Sequence, residues 1–443
     1  MFRSCDIVNL SLRKMKVLWF TNTPSCYMSK GDYNGGGWIS SLENIISKSH
    51  PEIKLGIAFY DNLMHDGWNK VKDSAVTYYP MSRLRNSFSA NARQVLLGRA
   101  SASVEHETHA IPQLMEIVKD FNPDIIHVFG SENIYGLLSK YTNIPLVLHI
   151  QGILSSITNA FLPPSISWND YIFSSFSLKS VIWHLRERFS FERNTCTELR
   201  MFRNIKYFMG RTEWDKAIIR LINPSARYFN CGEILRDVFY ECPTSRHESV
   251  KPIFVSVISW QVYKGYDLIL KTANLLNELD ETDFEWHIYG NVNPKLIEKR
   301  LHLSSKNTVI KFKGVVTAAE LREAFRSAVA LIHPSYVENS SNVICEAQMS
   351  GCPCIATNVG GTPSIVEHGK TGILVPSNDP FLLAENMKHI MSNSALRLRL
   401  SENAYRVASK RHDRKNIVER VVEIYRIIKN QSQGNTIDCE CNC

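Results

Sequence analysis

The sequence predicts an α/β protein of two doubly wound domains, each a parallel sheet covered by helices. Short apolar runs alternate with amphipathic helical patterns along the chain, the rhythm of βα units. A polar, apolar-poor stretch at 241–251 (Glu-Cys-Pro-Thr-Ser-Arg-His-Glu-Ser-Val-Lys) interrupts that rhythm as a linker would, and the alternation then restarts. A chain of 443 residues, 44% of them apolar, is long for one domain and sufficient for two cores. The expected division is a first domain over 15–243, a second over 250–412 and a disordered tail over 431–443.

Residues 16–21 open the first half as a buried strand. Asn34-Gly35-Gly36-Gly37 follows, with Trp38, Leu42, Ile45 and Ile46 at helical spacing behind it. A strand, a glycine-rich turn and a helix form a Rossmann-like opening where phosphate or sugar can approach the backbone. Gly36 and Gly37 are therefore candidate ligand contacts, although Gly-x-Gly-x-x-Gly spacing is missing. Residues 54–60 and 76–80 read as strands, with 61–72 a polar connection. An amphipathic helix (Ile111, Leu114, Val118, Phe121) precedes strands at 124–129 and 146–150, the second ending at Gln151. His127 and His149 lie on these strands. A histidine on a buried strand is either a satisfied core residue or a catalytic one.

Residues 172–206 form the most basic tract, with Lys179, Arg186, Arg188, Arg193, Arg200, Arg203 and Lys206 among Phe176, Trp183 and Phe189. It reads either as a solvated pair of amphipathic helices or as a face for anionic lipid headgroups or a lipid-diphosphate acceptor. A strand at 206–209 runs into Gly210-Arg-Thr-Glu-Trp-Asp215, and Gly232-Glu-Ile-Leu-Arg236 closes the half. The second half restarts with a strand at 252–258. Lys264-Gly265 precedes a helix bearing Leu268, Ile269, Ala273 and Leu276, and 284–290 and 308–312 are strands. Thr317 and Glu320 make a capping box for the helix of Leu321, Phe325 and Ala328. Further on, 372–375 is a strand and Asp379-Pro380 starts a helix.

The chemistry is concentrated in residues 331–361. A short apolar strand ends at Pro334, a polar loop covers 338–342, and 342–349 has helical spacing with Gly351 as its stop. The unpaired amides at that helix start make an anion site. Glu338 lies in the loop and Glu346 inside the helix, with seven residues between them. Two carboxylates and a ring of amides around one pocket suit a ligand carrying both phosphates and hydroxyls, such as a sugar nucleotide. The Glu-x7-Glu spacing alone also describes two solvated glutamates on a surface helix. The strand, proline, loop, helix, Gly351-Cys-Pro353 and Gly360-Gly361 around it are more specific. Together they resemble the signature of retaining GT-B glycosyltransferases of family 4, the group 1 transferases, which read Glu-Gly-Phe-Gly followed by Glu-Ala. Asn339, Ser340 and Ser341 replace the small residues after the first glutamate. The Gly-Arg-Thr-x-Trp-Asp and Gly-Glu-Ile-Leu-Arg runs resemble a branch common among bacterial polysaccharide-assembly enzymes.

That resemblance implies a GT-B fold whose last long helix, about 413–430, crosses back to the first domain. It implies Glu338 as the catalytic or sugar-binding carboxylate, with residues 339–342 (Asn339, Ser340, Ser341, Asn342) beside it, and Glu346 on the ribose. Lys264 matches the family's diphosphate contact, while its partner arginine is Ser259 here; Arg211 is the candidate replacement across the cleft. The family's histidine position reads Gln151, so Gln151, His127 and Arg211 are the candidate sugar or acceptor contacts. The implied reaction moves a sugar from a nucleotide-sugar donor to a glycan or lipid-linked acceptor with retention, in polysaccharide assembly. A non-catalytic sugar-nucleotide-binding subunit and a sugar-nucleotide epimerase are the alternatives.

No metal or other cofactor is expected, because no Asp-x-Asp motif is present. A net charge of +8 is compatible with an anionic membrane or nucleic acid, but no nucleic-acid-binding signature accompanies it. No apolar run reaches the ~18–20 residues of a membrane helix, and the N-terminus lacks a signal-peptide core, with Met15 a candidate start. Eleven cysteines form no evident disulfide framework, which favours the cytoplasm, with peripheral membrane attachment through 172–206 as an addition. Cys352-Pro-Cys354 reads as packing or as a metal or redox motif, and the terminal Cys-x-Cys as a disordered end, a lipidation site or a metal site.

Overall fold

The structure, a computed structural model, describes residues 14–27, 37–73, 75–83, 99–174, 177–241, 251–306 and 308–432. Gly36, the 242–250 part of the linker and the 433–443 tail lie outside the described residues. The first sheet holds β1 (Met15–Thr21), β2 (Ile53–Tyr60), β3 (Val71–Asp73), β4 (Val76–Met81), β5 (Ile125–Phe129), β6 (Leu146–His149), β7 (Tyr207–Gly210) and β8 (Arg227–Asn230). Its order is β3-β4-β2-β1-β5-β6-β7-β8, parallel except for the antiparallel β3–β4 edge. The second sheet holds β9 (Ile253–Val257), β10 (Glu285–Tyr289), β11 (Ile310–Gly314), β12 (Ala330–His333), β13 (Cys354–Thr357) and β14 (Ile373–Val375). It is all parallel, in the order β11-β10-β9-β12-β13-β14.

The central strands are apolar runs and not alternations because helices cover both their faces. Every residue of β5, β12 and β13 is buried. Each sheet therefore has two apolar clusters, and the chain trades segments between them. The helix Arg414–Ser432 follows the second sheet, yet its Ile417, Val421, Val422, Tyr425 and Ile428 pack among Trp19, Trp38 and Ile57 of the first domain. In return, Leu235 and Phe239 pack with Leu321 and Phe325 of the second domain, and Phe161, Ile166 and Tyr171 pack with its Tyr266 and Trp286.

Two expectations change here. His127 is a core residue and not a sugar contact. It is fully buried, its Nδ1 lies 2.6 Å from the Tyr425 hydroxyl, and burial lowers its pKa to about 3, so the ring is neutral. The 172–206 tract is not a helix pair. It contains a short helix end at Ile172 and one helix, Leu178–Asn204. Arg200 holds Glu107 through two nitrogens and Arg188 lies 5.3 Å from the Trp168 ring centroid, so fewer charges face outward than composition suggests. The Thr317–Glu320 capping box is present as read, and Ser167–Asp170 and Thr212–Asp215 form further ones. Among the described residues no helix is long and apolar enough to cross a membrane.

Candidate active site

Strands of a parallel sheet end where helices begin, so amides and loop side chains gather beyond the carboxyl edge. In this molecule the two edges face one another across a cleft. The larger cavity there, about 460 Å³, is lined by Gly37, Arg236, Ser259, Lys264, His333, Ser341, Asn342 and Glu346, with Tyr289, Val315, Val316 and Leu321 as an apolar end. Its size lies within the ~300–1,000 Å³ of small-molecule sites. A smaller cavity of about 70 Å³ adjoins Lys264 and is lined by Gln151, Tyr263, Glu338, Asn339 and Ser340.

Glu338 sits at the junction. Its Oε1 receives Lys264 Nζ at 2.6 Å, Ser335 Oγ at 2.9 Å and His333 Nε2 at 3.1 Å. Its Oε2 has no protein partner among the described residues, and Glu338 lines the smaller cavity. Burial alone would raise this carboxyl's pKa, but Lys264 and His333 outweigh it and hold the group well below the usual carboxylate range. Lys264 is shifted the opposite way: burial disfavours its charge, and Glu338 more than restores it. The backbone fixes the pair. Gly265 has φ +83°, and a Cβ there would lie 2.1 Å from the Pro334 carbonyl oxygen. Gly360, at φ +52°, leaves 2.0 Å for a Cβ against the Glu338 carbonyl, which the Gly361 amide binds at 2.9 Å.

Glu346 lies on the first turns of the helix Asn342–Met349, whose N-cap Ser341 makes no side-chain cap bond and lines the cavity with Asn342 and Val343. Amides there are positioned for a phosphate. Both Glu346 oxygens are bound by Arg236 of the opposite wall, at 2.8 and 2.7 Å. Burial raises the Glu346 carboxyl, and Arg236 pulls it back.

The remaining candidates divide. Asn339 joins the walls: its Oδ1 accepts from Thr212 Oγ1 at 2.7 Å, and its amide approaches the Gln151 carbonyl at 3.4 Å. Ser340 donates to Glu233 at 3.3 Å, and the Asn342 amide donates to both Glu233 oxygens at 2.8 and 3.0 Å. Gln151 lines the smaller cavity and accepts from Arg211 at 3.3 Å. Arg211 does not replace the cation missing at Ser259. It is ion-paired with buried Glu233 and turned toward Gln151, because Glu233 and the 150–151 carbonyls draw its fork away from the larger cavity. The second cation of that cavity is Arg236. Ser259 itself donates to Gln261.

Arg236, Glu233, His333 and Tyr263 were not read as site residues from the sequence. Arg236 and Glu233 stand in the quoted Gly-Glu-Ile-Leu-Arg run, but Glu346 lies 110 residues from Arg236, and Ser340 lies 107 from Glu233. His333 ends the apolar strand, where its ring looks like core. Among the described residues no group of three or more His, Cys, Asp or Glu could hold a metal ion.

Two Rossmann-like parallel-sheet domains facing across a cleft define the GT-B fold, and solved structures agree over nearly the whole chain. Sucrose-phosphate synthase from Thermosynechococcus elongatus superposes with a TM-score of 0.66 at 15% identity, covering 94% of this chain and 99% of that one. Anabaena Alr3699/HepE, in complex with UDP and glucose, gives 0.59 at 15% identity over 93% and 100%. Residues 243–407 match the family described as glycosyl transferases group 1. The D-inositol 3-phosphate glycosyltransferase of Streptomyces avermitilis is 34% identical over 170 residues, 36% of each chain. The one from Streptomyces bingchenggensis is 36% identical over 115 residues, 26% of this chain and 25% of that protein. The matched stretch thus spans about a quarter to a third of these curated relatives.

Proposed function

We propose that the protein is a glycosyltransferase that moves a sugar from a nucleotide-sugar donor to an acceptor hydroxyl with retention of anomeric configuration. The observation that carries this reading is the state of Glu338 beside the smaller cavity: one oxygen is saturated by Lys264, Ser335 and His333, and the other has no protein partner among the described residues. A carboxylate so fixed can accept a bond from a sugar hydroxyl without moving. The family match over residues 243–407 and the UDP-bound structural neighbour support the donor class.

In this reading the apolar end near Tyr289, Val315 and Val316 takes the base. Glu346 takes the ribose, which requires Arg236 to release it. The freed guanidinium then joins Lys264 and the amides of 341–343 on the diphosphate, replacing the cation that Ser259 lacks. Negative charge grows on the diphosphate as the sugar leaves, and these fixed groups stabilise it most at that moment. The acceptor enters from the Gln151 side, and attack occurs on the face the diphosphate leaves, so positioning does most of the work. The acceptor is a glycan or lipid-linked sugar of cell-surface polysaccharide assembly. Phe173 (65% exposed), Leu178 (75%) and Trp183 (59%) beside Lys179 form the part of the basic tract that meets an anionic membrane.

The test is a stabilisation and turnover screen over UDP-, GDP-, ADP- and dTDP-sugars, with the product anomer read by NMR. Binding without donor cleavage would make the protein a sugar-nucleotide-binding subunit. A changed sugar on the donor without acceptor would make it an epimerase, and an inverted product would overturn retention. Loss of co-sedimentation with anionic vesicles in Trp183→Glu/Lys179→Glu is the expected membrane result; no co-sedimentation by the wild type rejects that part.

A further inference from the structure

The turn between β7 and the helix Glu213–Ile222 is held rigidly from its own side. Asp215, fully buried, accepts from the Arg211 amide at 3.1 Å and from the Tyr228 hydroxyl, and it closes the capping box with Thr212. The Thr212 hydroxyl accepts from the Asp215 amide at 3.1 Å, which leaves its proton for a partner elsewhere. That partner is across the cleft: Asn339 Oδ1, at 2.7 Å. Both residues are buried, Thr212 at 1% exposure and Asn339 at 5%. A bond so placed does not compete with water, and losing one partner leaves the other unsatisfied.

Three further approaches lie beside it. The Asn339 amide nears the Gln151 carbonyl at 3.4 Å, and the Glu213 amide donates to Ser364 Oγ at 3.1 Å. Gly361 comes so near the first domain that a Cβ on it would lie 2.7 Å from Thr212 Cγ2. The smaller cavity takes its walls from both domains, with Gln151, Ile153 and Trp214 on one side and Tyr263, Glu338 and Asn339 on the other. Its width therefore depends on how closely these segments are held together. Asn339 follows Glu338 directly, so whatever fixes one restrains the other. In the signature that the 331–361 stretch resembles, a glycine stands at this position, with no side chain to reach across.

We propose that Thr212 and Asn339 form a latch across the cleft and that both are positioning residues, setting the width of the smaller cavity and the place of Glu338 against the Gln151 wall. The latch does not depend on what the protein transfers; its effect on rate rests on the glycosyltransferase reading. Misplacement by about 1 Å can cost a hundredfold in rate, and the latch can be removed without touching the groups assigned to the diphosphate.

The experiment is hydrogen exchange on the full chain, followed by mass spectrometry in peptides covering 210–216, 337–341 and 125–129. Calorimetry with UDP and release of UDP from UDP-glucose run beside it. Asn339→Gly removes the latch and leaves the residue that the signature carries. Exchange in 210–216, on the other domain, is expected to quicken about tenfold. Exchange in 125–129, the core strand β5, is expected to stay as in the wild type, which shows that the variant is folded. A purely local role for Asn339 would quicken 337–341 alone, and that result overturns the latch. The kcat of UDP release is expected to fall about tenfold while UDP affinity changes less than about twofold. A wild-type kcat, or equal losses in kcat and affinity, overturns the positioning role. Thr212→Val is expected to match Asn339→Gly in kcat, and Thr212→Ser, which keeps the hydroxyl, to recover it. No recovery in Thr212→Ser would assign the effect to methyl packing and overturn the latch. If the wild type cleaves none of the UDP-, GDP-, ADP- and dTDP-sugars, the glycosyltransferase reading falls, and the exchange result still decides the latch.

Discussion

On the second-sheet side of the cleft, Glu338, Ser335 and His333 come from one strand-to-helix connection, and Lys264 from the turn packed against it. On the first-sheet side, Gln151, Arg211, Glu233 and Arg236 follow three different strands, β6, β7 and β8. Each wall neutralises one carboxylate internally, Glu338 with Lys264 and Glu233 with Arg211. Glu346 takes its cation from Arg236, which follows the first sheet in the chain although its neighbours Leu235 and Phe239 pack into the second domain. The difference teaches that one wall is organised before the domains meet, whereas the diphosphate site is complete only when they do. Donor binding then exchanges a contact between walls for contacts to ligand.

The sharpest way to break this comparison is Glu338→Gln. It keeps the shape, removes the charge that holds Lys264 and Ser335, and is expected to lower kcat by about 10² or more with nucleoside diphosphate affinity nearly unchanged. Single-turnover rates beside calorimetry check it; lost nucleotide binding with an intact rate would reverse the roles of the two glutamates. Glu346→Ala comes next. Bonds to a charged acceptor contribute about 1.5–3 kcal/mol, so nucleotide affinity is expected to fall about ten- to a hundredfold. A smaller loss measures how much of the ribose contact was already offset by breaking the Arg236 pair.

The walls also differ in their response to acid. His127 and His149 are buried in the first domain, and burial depresses both, His127 to about 3. The folded pKa lies below the unfolded value of about 6.5, so the unfolded state binds more protons between the two, and stability falls as pH drops from about 6.5 toward 3. His127 alone contributes about 2 kcal/mol of that loss between pH 6.5 and 5. Urea unfolding at the two pH values, with His127→Gln as the control, is expected to show a shallower pH dependence in the variant. An unchanged dependence would sink the assignment.

The smallest effect concerns the displaced cation. Arg236→Ala is expected to weaken diphosphate binding about tenfold, and Ser259→Arg in that background to restore part of it. If Ser259→Arg tightens binding in the variant but not in the wild type, Arg236 occupies the role. Additive effects would mean two independent sites.

The sequence carries the wall that is locally encoded. The 331–361 stretch places its strand, loop, helix and glycines within a residue or two, because turn chemistry and apolar periodicity are short-range signals. It could not show that Arg236 meets Glu346, a contact between segments 110 residues apart that depends on how the stretch after β8 docks on the second domain, or that Arg211 turns to Glu233, which depends on β7 and β8 lying side by side. For the same reason His127 looked like a strand-end candidate: its partner, Tyr425, is almost three hundred residues away. The basic tract misled in another way, because composition counts arginines without showing that Glu107 and Trp168 occupy two of them.

The helix Arg414–Ser432 has a consequence for how the chain is made. Its Tyr425 hydroxyl accepts from the Trp19 indole at 3.0 Å and meets His127, so the last helix completes the core that the first strand begins. Domains ordinarily fold as they leave the ribosome, N-terminal first. Here the first sheet emerges early with one apolar face uncovered, and it waits through synthesis of the entire second domain for its cover. That interval exposes Trp19, Ile57 and their neighbours to chaperones or to aggregation. A nascent chain stalled before residue 414 is therefore expected to hold its second domain closed to protease while the first is cut.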